Sequence, residues 1–120
     1  MKSKGDPRHL DRVKLVKHLF SASFANPHLP QEIQPILKDL PQIDAYITAA
    51  APEWPIHQIN KIDLAVLRVA VWELITKTAP HKVIIDEAVE IAKEYGSENS
   101  AKFVNGVLGT IVDRLYGPTA

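Results

Sequence analysis

The sequence predicts an all-α fold, a compact helical bundle, on three observations. Apolar residues recur at helical spacing almost throughout the chain. No alternating apolar–polar run is bounded by hairpin dipeptides. Helix-capping residues and prolines punctuate the periodic stretches at intervals suited to helices. With 120 residues, 46% of them hydrophobic and 23% charged, the chain suits one globular domain with a solvated surface.

Each element follows from local chemistry. Asp6-Pro7 is a helix start, Asp as N-cap and Pro in the first turn, and Leu10, Val13, Val16, Phe20 and Phe24 share the apolar face of a helix running to about Ala25. Asn26-Pro27 ends it. Pro35 and Pro41 each open a short helix, the second carrying Ile43, Tyr46 and Ile47. Pro52 and Pro55 make a turn around Trp54, whose indole is expected to plug the core. Asn60 caps the next helix, with Asp63 answering it at the third position, and this helix is apolar nearly all round to about Lys77, which marks it as the buried centre. Arg68 and Glu73, set within it, therefore need charged partners or an edge. Thr78-Ala79-Pro80 breaks it.

The following helix, from about Lys82 to Tyr95, is expected to turn Ile85, Ala88, Ala92 and Tyr95 inward and Glu87, Glu90 and Glu94 to solvent. Gly96 should end it in a left-handed turn. Phe103, Val104, Val107, Leu108, Ile111, Val112 and Leu115 mark a last helix ending at Gly117-Pro118, with Gly106 expected where another helix passes closely. The total is five or six helices.

Catalytic signatures are missing. Without cysteine there is no disulfide framework and no thiolate metal site, a usage that fits a reducing cytoplasm. Five histidines lie without the paired spacing that holds zinc, and no nucleophile elbow, phosphate-binding loop or dinucleotide fingerprint occurs. The expectation is a binding protein, not an enzyme, with no cofactor and no metal. The apolar run from Leu64 to Val71 is too short for a membrane span, and no signal-peptide core follows Met1. The neutral total charge hides an asymmetry: residues 1–17 hold six basic side chains against Asp6 and Asp11, and the remainder holds eight basic against twelve acidic. A basic beginning on an acidic body suits a segment that meets phosphate, although a solvated terminus has the same composition.

Three stretches carry a family resemblance: Leu67-Arg68-Val-Ala-Val-Trp-Glu73-Leu74; Lys82-Val83 through Glu87-Ala88 and Ala92-Lys93 to Gly96; and Lys102-Phe-Val-Asn-Gly-Val-Leu108. Together they resemble the NusB family of bacterial transcription antitermination factors, tightly over 54–112 and more loosely through Arg12 and Leu19-Phe20. The resemblance implies two packed helical subdomains, here 1–53 and 54–120. It also implies a cytoplasmic factor that binds boxA-type single-stranded RNA together with ribosomal protein NusE, joins the transcription elongation complex and suppresses premature termination, notably on ribosomal RNA operons.

Carried onto this chain, the RNA-binding residues are Lys4, Arg8, Arg12 and Lys14 of the first helix region, and Asn99, Ser100, Lys102 and Phe103 where the last helix begins. Phe20 and Asp63 are the expected NusE contacts. Arg8 and Arg12, four residues apart, should fork onto successive phosphates from one side. Amides near Ser100 to Lys102 should favour an anion, and Phe103 offers a ring for an unpaired base. Asn99 stands where the family commonly has an acid, a change that favours phosphate, whereas Asp11 opposes it. The two regions are expected to converge on one ribonucleotide groove. Two rivals have the same helical pattern: the module fused in front of a ribosomal-RNA cytosine methyltransferase, disfavoured because the chain ends at Ala120 without a cofactor-binding glycine motif, and a protein-only adaptor or dimerising module.

Overall fold

The computed structural model describes residues 5–24 and 29–117. They form six α-helices: α1 (Pro7–Ala22), α2 (Gln34–Lys38), α3 (Leu40–Ala50), α4 (Lys61–Thr76), α5 (His81–Tyr95) and α6 (Ser100–Tyr116). Single 3₁₀ turns at Gln31–Ile33 and Ile56–Gln58 join them, and no strand occurs among the described residues.

Helix α4 is the axis of the molecule and packs against α1, α3, α5 and α6. That position demands an almost wholly apolar helix, and Leu64 through Leu67, Val69 to Val71 and Leu74 are all buried. Asn60 caps α4 as its sequence suggests, its side-chain oxygen accepting the N–H groups of Ile62 and Asp63. The reciprocal half of the capping box does not form; Asp63 is buried and lines a cleft with Ser97, Asn99 and Phe103. Helix α4 stops where Lys77 enters the left-handed region at φ 56°.

Arg68 and Glu73, the two charges expected to need partners, are both paired. Arg68 makes a bidentate bond to Asp44 of α3, at 3.0 and 2.8 Å. Glu73 pairs with Arg12 of α1. Helix α1 is capped by Asp6, which accepts the Arg8 N–H; that bond holds the Asp6 carboxyl below its ordinary range.

Several expectations are corrected by the packing. On α1 the buried residues are His9, Val13, Val16 and Leu19, whereas Leu10 and Phe24 are exposed. The inward face is therefore rotated by one residue from the one hydrophobicity selects, because buried His9 finds a partner in Glu87 of α5. Glu87 itself, expected in solvent, is 1% exposed, while Tyr95, expected inside, is exposed. Trp54 does not plug the core; it is 50% exposed.

Gly96 is extended (φ −93°, ψ −167°) and not left-handed. It is needed for space: a Cβ there would collide with Ser100 Oγ and approach the Ala92 carbonyl to 2.7 Å. Gly106 has no such reason, since a methyl group at its Cα would meet nothing within 4 Å. Lys4, Ala25 to His28 and Pro118 fall outside the described residues.

Candidate functional site

The expected RNA-binding residues fall at two ends of the molecule. Helix α1 runs antiparallel to α4: Arg12, near its start, bonds Glu73 near the end of α4, and Phe24, just past its own end, lies under Lys61 at the start of α4. Asp63, on the first turn of α4, lines a cleft with Ser97, Asn99 and Phe103. The ten residues from Asp63 to Glu73 correspond to about 15 Å of helix. Arg8 and Arg12 thus lie at the opposite end of α4 from the beginning of α6. The common groove expected of these two regions does not form.

Nor do Arg8 and Arg12 project together. The Arg8 side chain is 83% exposed and, among the described residues, pairs with Asp6. The Arg12 side chain is 12% exposed, with Nε and one terminal nitrogen 2.7 and 3.0 Å from Glu73 and the other 3.1 Å from Glu87. These bonds, those to Glu73 above all, raise the affinity of the guanidinium for its proton and leave it no role as a fork for phosphates. His9 Nδ1 lies 3.3 Å from both Glu87 oxygens, and the Thr78 hydroxyl donates to Glu73 at 2.6 Å. This cluster ties α1 to α4, α5 and the turn between them. Lys14 is exposed, with Glu32 at 3.9 Å. Lys4 lies outside the described residues.

The other end has a different character. An open cleft of about 300 Å³ lies between the turn before α4 and the turn before α6. Trp54 and the partly buried Phe103 form its aromatic wall, with ring centroids 6.4 Å apart and planes at 77°. Asn60 and Asn99 give it amide groups, and Lys102 is exposed on the first turn of α6. Ser100, expected as a ligand, is buried and structural: its oxygen accepts the Ser97 N–H at 2.8 Å and lies 3.2 Å from the Ser97 hydroxyl. Trp54 was not among the expected site residues, because a tryptophan between prolines has the same appearance in sequence whether it faces core or solvent.

Asp63 is only 7% exposed and belongs to this cleft, not to a surface shared with Phe20. Burial pushes its carboxyl above the ordinary range, and the Ser100 hydroxyl offsets this in part. Its Oδ1 is buried and has no hydrogen-bond partner among the described residues. Phe20, half-buried, stacks edge-on against exposed Phe24 at 5.1 Å, and Lys61 covers the Phe24 ring at 5.5 Å. This gives a separate apolar patch with a cation where α1 ends and α4 begins.

Among the described residues no group of three metal-binding side chains occurs, and no helix is long and apolar enough to cross a membrane.

Comparison with known proteins gives a consistent result. The model of the NusB family matches residues 22–113. The transcription antitermination protein NusB of Chloroflexus aggregans is 53% identical over 75 residues, which cover 60% of this chain and 50% of that protein. The protein of the same name from Pseudothermotoga lettingae is 37% identical over 97 residues, 80% of this chain and 69% of its own length. Among solved structures, T. maritima NusB superposes with a TM-score of 0.80 at 33% identity, over 98% of this chain and 96% of that one. The chain spans about half the length of curated relatives such as the Chloroflexus protein.

Proposed function

This chain belongs to the NusB family, and on that basis we propose that it is a transcription antitermination factor that binds boxA-type single-stranded RNA together with NusE. In this reading it acts in the cytoplasm on the elongation complex, notably on ribosomal RNA operons, and has no catalytic step of its own. The observation that carries the RNA reading is the solvent-open pair Trp54–Phe103 at the beginning of α6, flanked by Asn99 and Lys102. Unpaired bases are held by stacking on such rings, and a neighbouring cation meets the phosphate between them.

The strand is anchored at this cleft, and not at the start of α1. Arg8 and Lys14, the exposed cations of α1, take a lesser part by meeting phosphates of a strand long enough to reach them. Arg12 holds the scaffold. The patch of Phe20, Phe24 and Lys61 is the surface offered to NusE, since an aromatic pair capped by a cation suits a mixed apolar and polar protein contact.

Trp54 gives a direct test, because it is exposed while Trp72 is partly buried. Titration with a boxA oligoribonucleotide, alone and with NusE, should quench the Trp54 emission, and Trp54→Phe should remove most of that signal. Phe103→Ala should weaken binding. Full affinity in Phe103→Ala, with no change in the Trp54 emission, would remove the cleft from RNA binding.

A further inference from the structure

We infer that Ser100 is the positioning residue of the Trp54–Phe103 cleft: without meeting the ligand itself, it fixes the turn before α6 and so sets Asn99 and Phe103 against Trp54. This rests on the reading of the cleft as an RNA site. The α6 wall depends on one buried hydroxyl. Ser100 is 1% exposed; its oxygen accepts the Ser97 N–H at 2.8 Å, and its own N–H donates to the Ser97 carbonyl at 3.1 Å. These two bonds close a ring across Glu98 and Asn99. The Asn99 carbonyl in turn accepts the Phe103 N–H at 3.1 Å, so the ring that places Asn99 also places Phe103, one helical turn further on.

Asn99 stands at the N-cap of α6, yet it makes no side-chain cap bond. A capping asparagine turns its side-chain oxygen to the helix amides. Here Ser100 closes the turn instead, and the Asn99 amide is left for the cleft that it lines. Gly96 completes the device: a Cβ there would collide with the Ser100 side chain, so glycine is what lets the hydroxyl reach the Ser97 N–H. The Trp54 wall is fixed separately. Pro52 and Pro55 restrict the backbone on either side of the indole, the Trp54 N–H donates to the Ala51 carbonyl at 3.0 Å, and the Gln58 N–H donates to the Pro55 carbonyl at 2.8 Å. Both walls are thus held by bonds of their own turns before a ligand arrives, and such preorganisation favours binding. It also makes position decisive, because a gap of about 0.5–1 Å forfeits a good part of a stacking contact. With Trp54 tied to its own turn, the distance between the rings is decided on the α6 side, by Ser100.

The test removes the hydroxyl from the full chain and follows binding of a boxA oligoribonucleotide by Trp54 fluorescence, well below the melting temperature. Ser100→Ala should weaken binding by about tenfold, the factor that corresponds to loss of one hydrogen bond. Its slope of log affinity against log salt should match wild type, because no phosphate contact is lost. Thr78→Val is the control: it deletes a hydroxyl bond of 2.6 Å to Glu73, at the far end of α4, and should lower stability while leaving RNA affinity unchanged. Ser100→Cys, close in size and a weak acceptor, supplies the same comparison if Ser100→Ala does not fold. Wild-type affinity in the folded Ser100 variant overturns the inference. So does an equal loss in Thr78→Val, which would make the effect one of general stability. A salt slope lowered by about one overturns it as well, since Ser100 would then be a phosphate ligand. In each case the RNA reading stands while Phe103→Ala binds weakly; that reading fails if Phe103→Ala binds as wild type does.

Discussion

The two ends of α4 hold comparable numbers of polar side chains and use them in opposite ways. At the Glu73 end, two buried carboxylates, a guanidinium, an imidazole and a threonine hydroxyl satisfy one another across α1, α4 and α5. At the Asp63 end, an aromatic pair stays open and a buried carboxylate oxygen has no partner. The contrast separates structure from function by a physical criterion. A polar group whose bonds are complete has nothing left for a ligand, whereas an aromatic surface left open to solvent is one that binding can cover.

The largest effect should come from breaking the closed end. Arg12→Ala leaves Glu73 and Glu87 buried without their shared guanidinium, and should cost about 3–5 kcal/mol of stability, read as a lower urea midpoint. A variant of unchanged stability would remove the contrast between the two ends. Phe103→Ala acts on the open end: loss of one stacking surface should weaken RNA binding by about 1–3 kcal/mol.

Two glycines of the same region sharpen the comparison. Gly106→Ala should stabilise the protein by up to about 1 kcal/mol, because the added methyl meets open space on a helix. Gly96→Ala should destabilise it, since its Cβ meets Ser100 and the Ala92 carbonyl. Thermal melts of the pair check both signs.

The smallest effect belongs to exposed Arg8. Arg8→Ala should leave stability nearly unchanged and reduce the slope of log affinity against log salt by about one. The pH dependence of stability adds a check on Asp63. Its folded-state pKa is raised by burial, so the folded chain binds more protons than the unfolded one between the two values. Stability should fall as pH rises through that window, and this contribution should vanish in D63N, as acid-range unfolding curves would record.

Much of this architecture was legible in the sequence. Asp6-Pro7 and Asn60 start helices because their side chains reach amides only two or three residues away, and both caps are present. The central position of α4 followed from its apolar run, and the need of Arg68 and Glu73 for partners followed from their place in it. The candidate site was legible only in part. Phe103 and Asn99 do line a cleft, but Arg12, Ser100 and Glu87 have buried structural roles that their residue types did not suggest.

What the chain's order of residues determined by itself was therefore local: helix starts, breaks and the periodic apolar faces, all set by interactions within a turn or so of helix. What tertiary structure alone decided was which polar residues go inside. His9 and Arg12 lie 75 or more positions from Glu87 along the chain, and each becomes tolerable in the interior only because folding brings the others to it. The same folding leaves Asp63 Oδ1 without a donor and Trp54 in solvent, because partner supply depends on distance in space, which spacing along the chain does not encode.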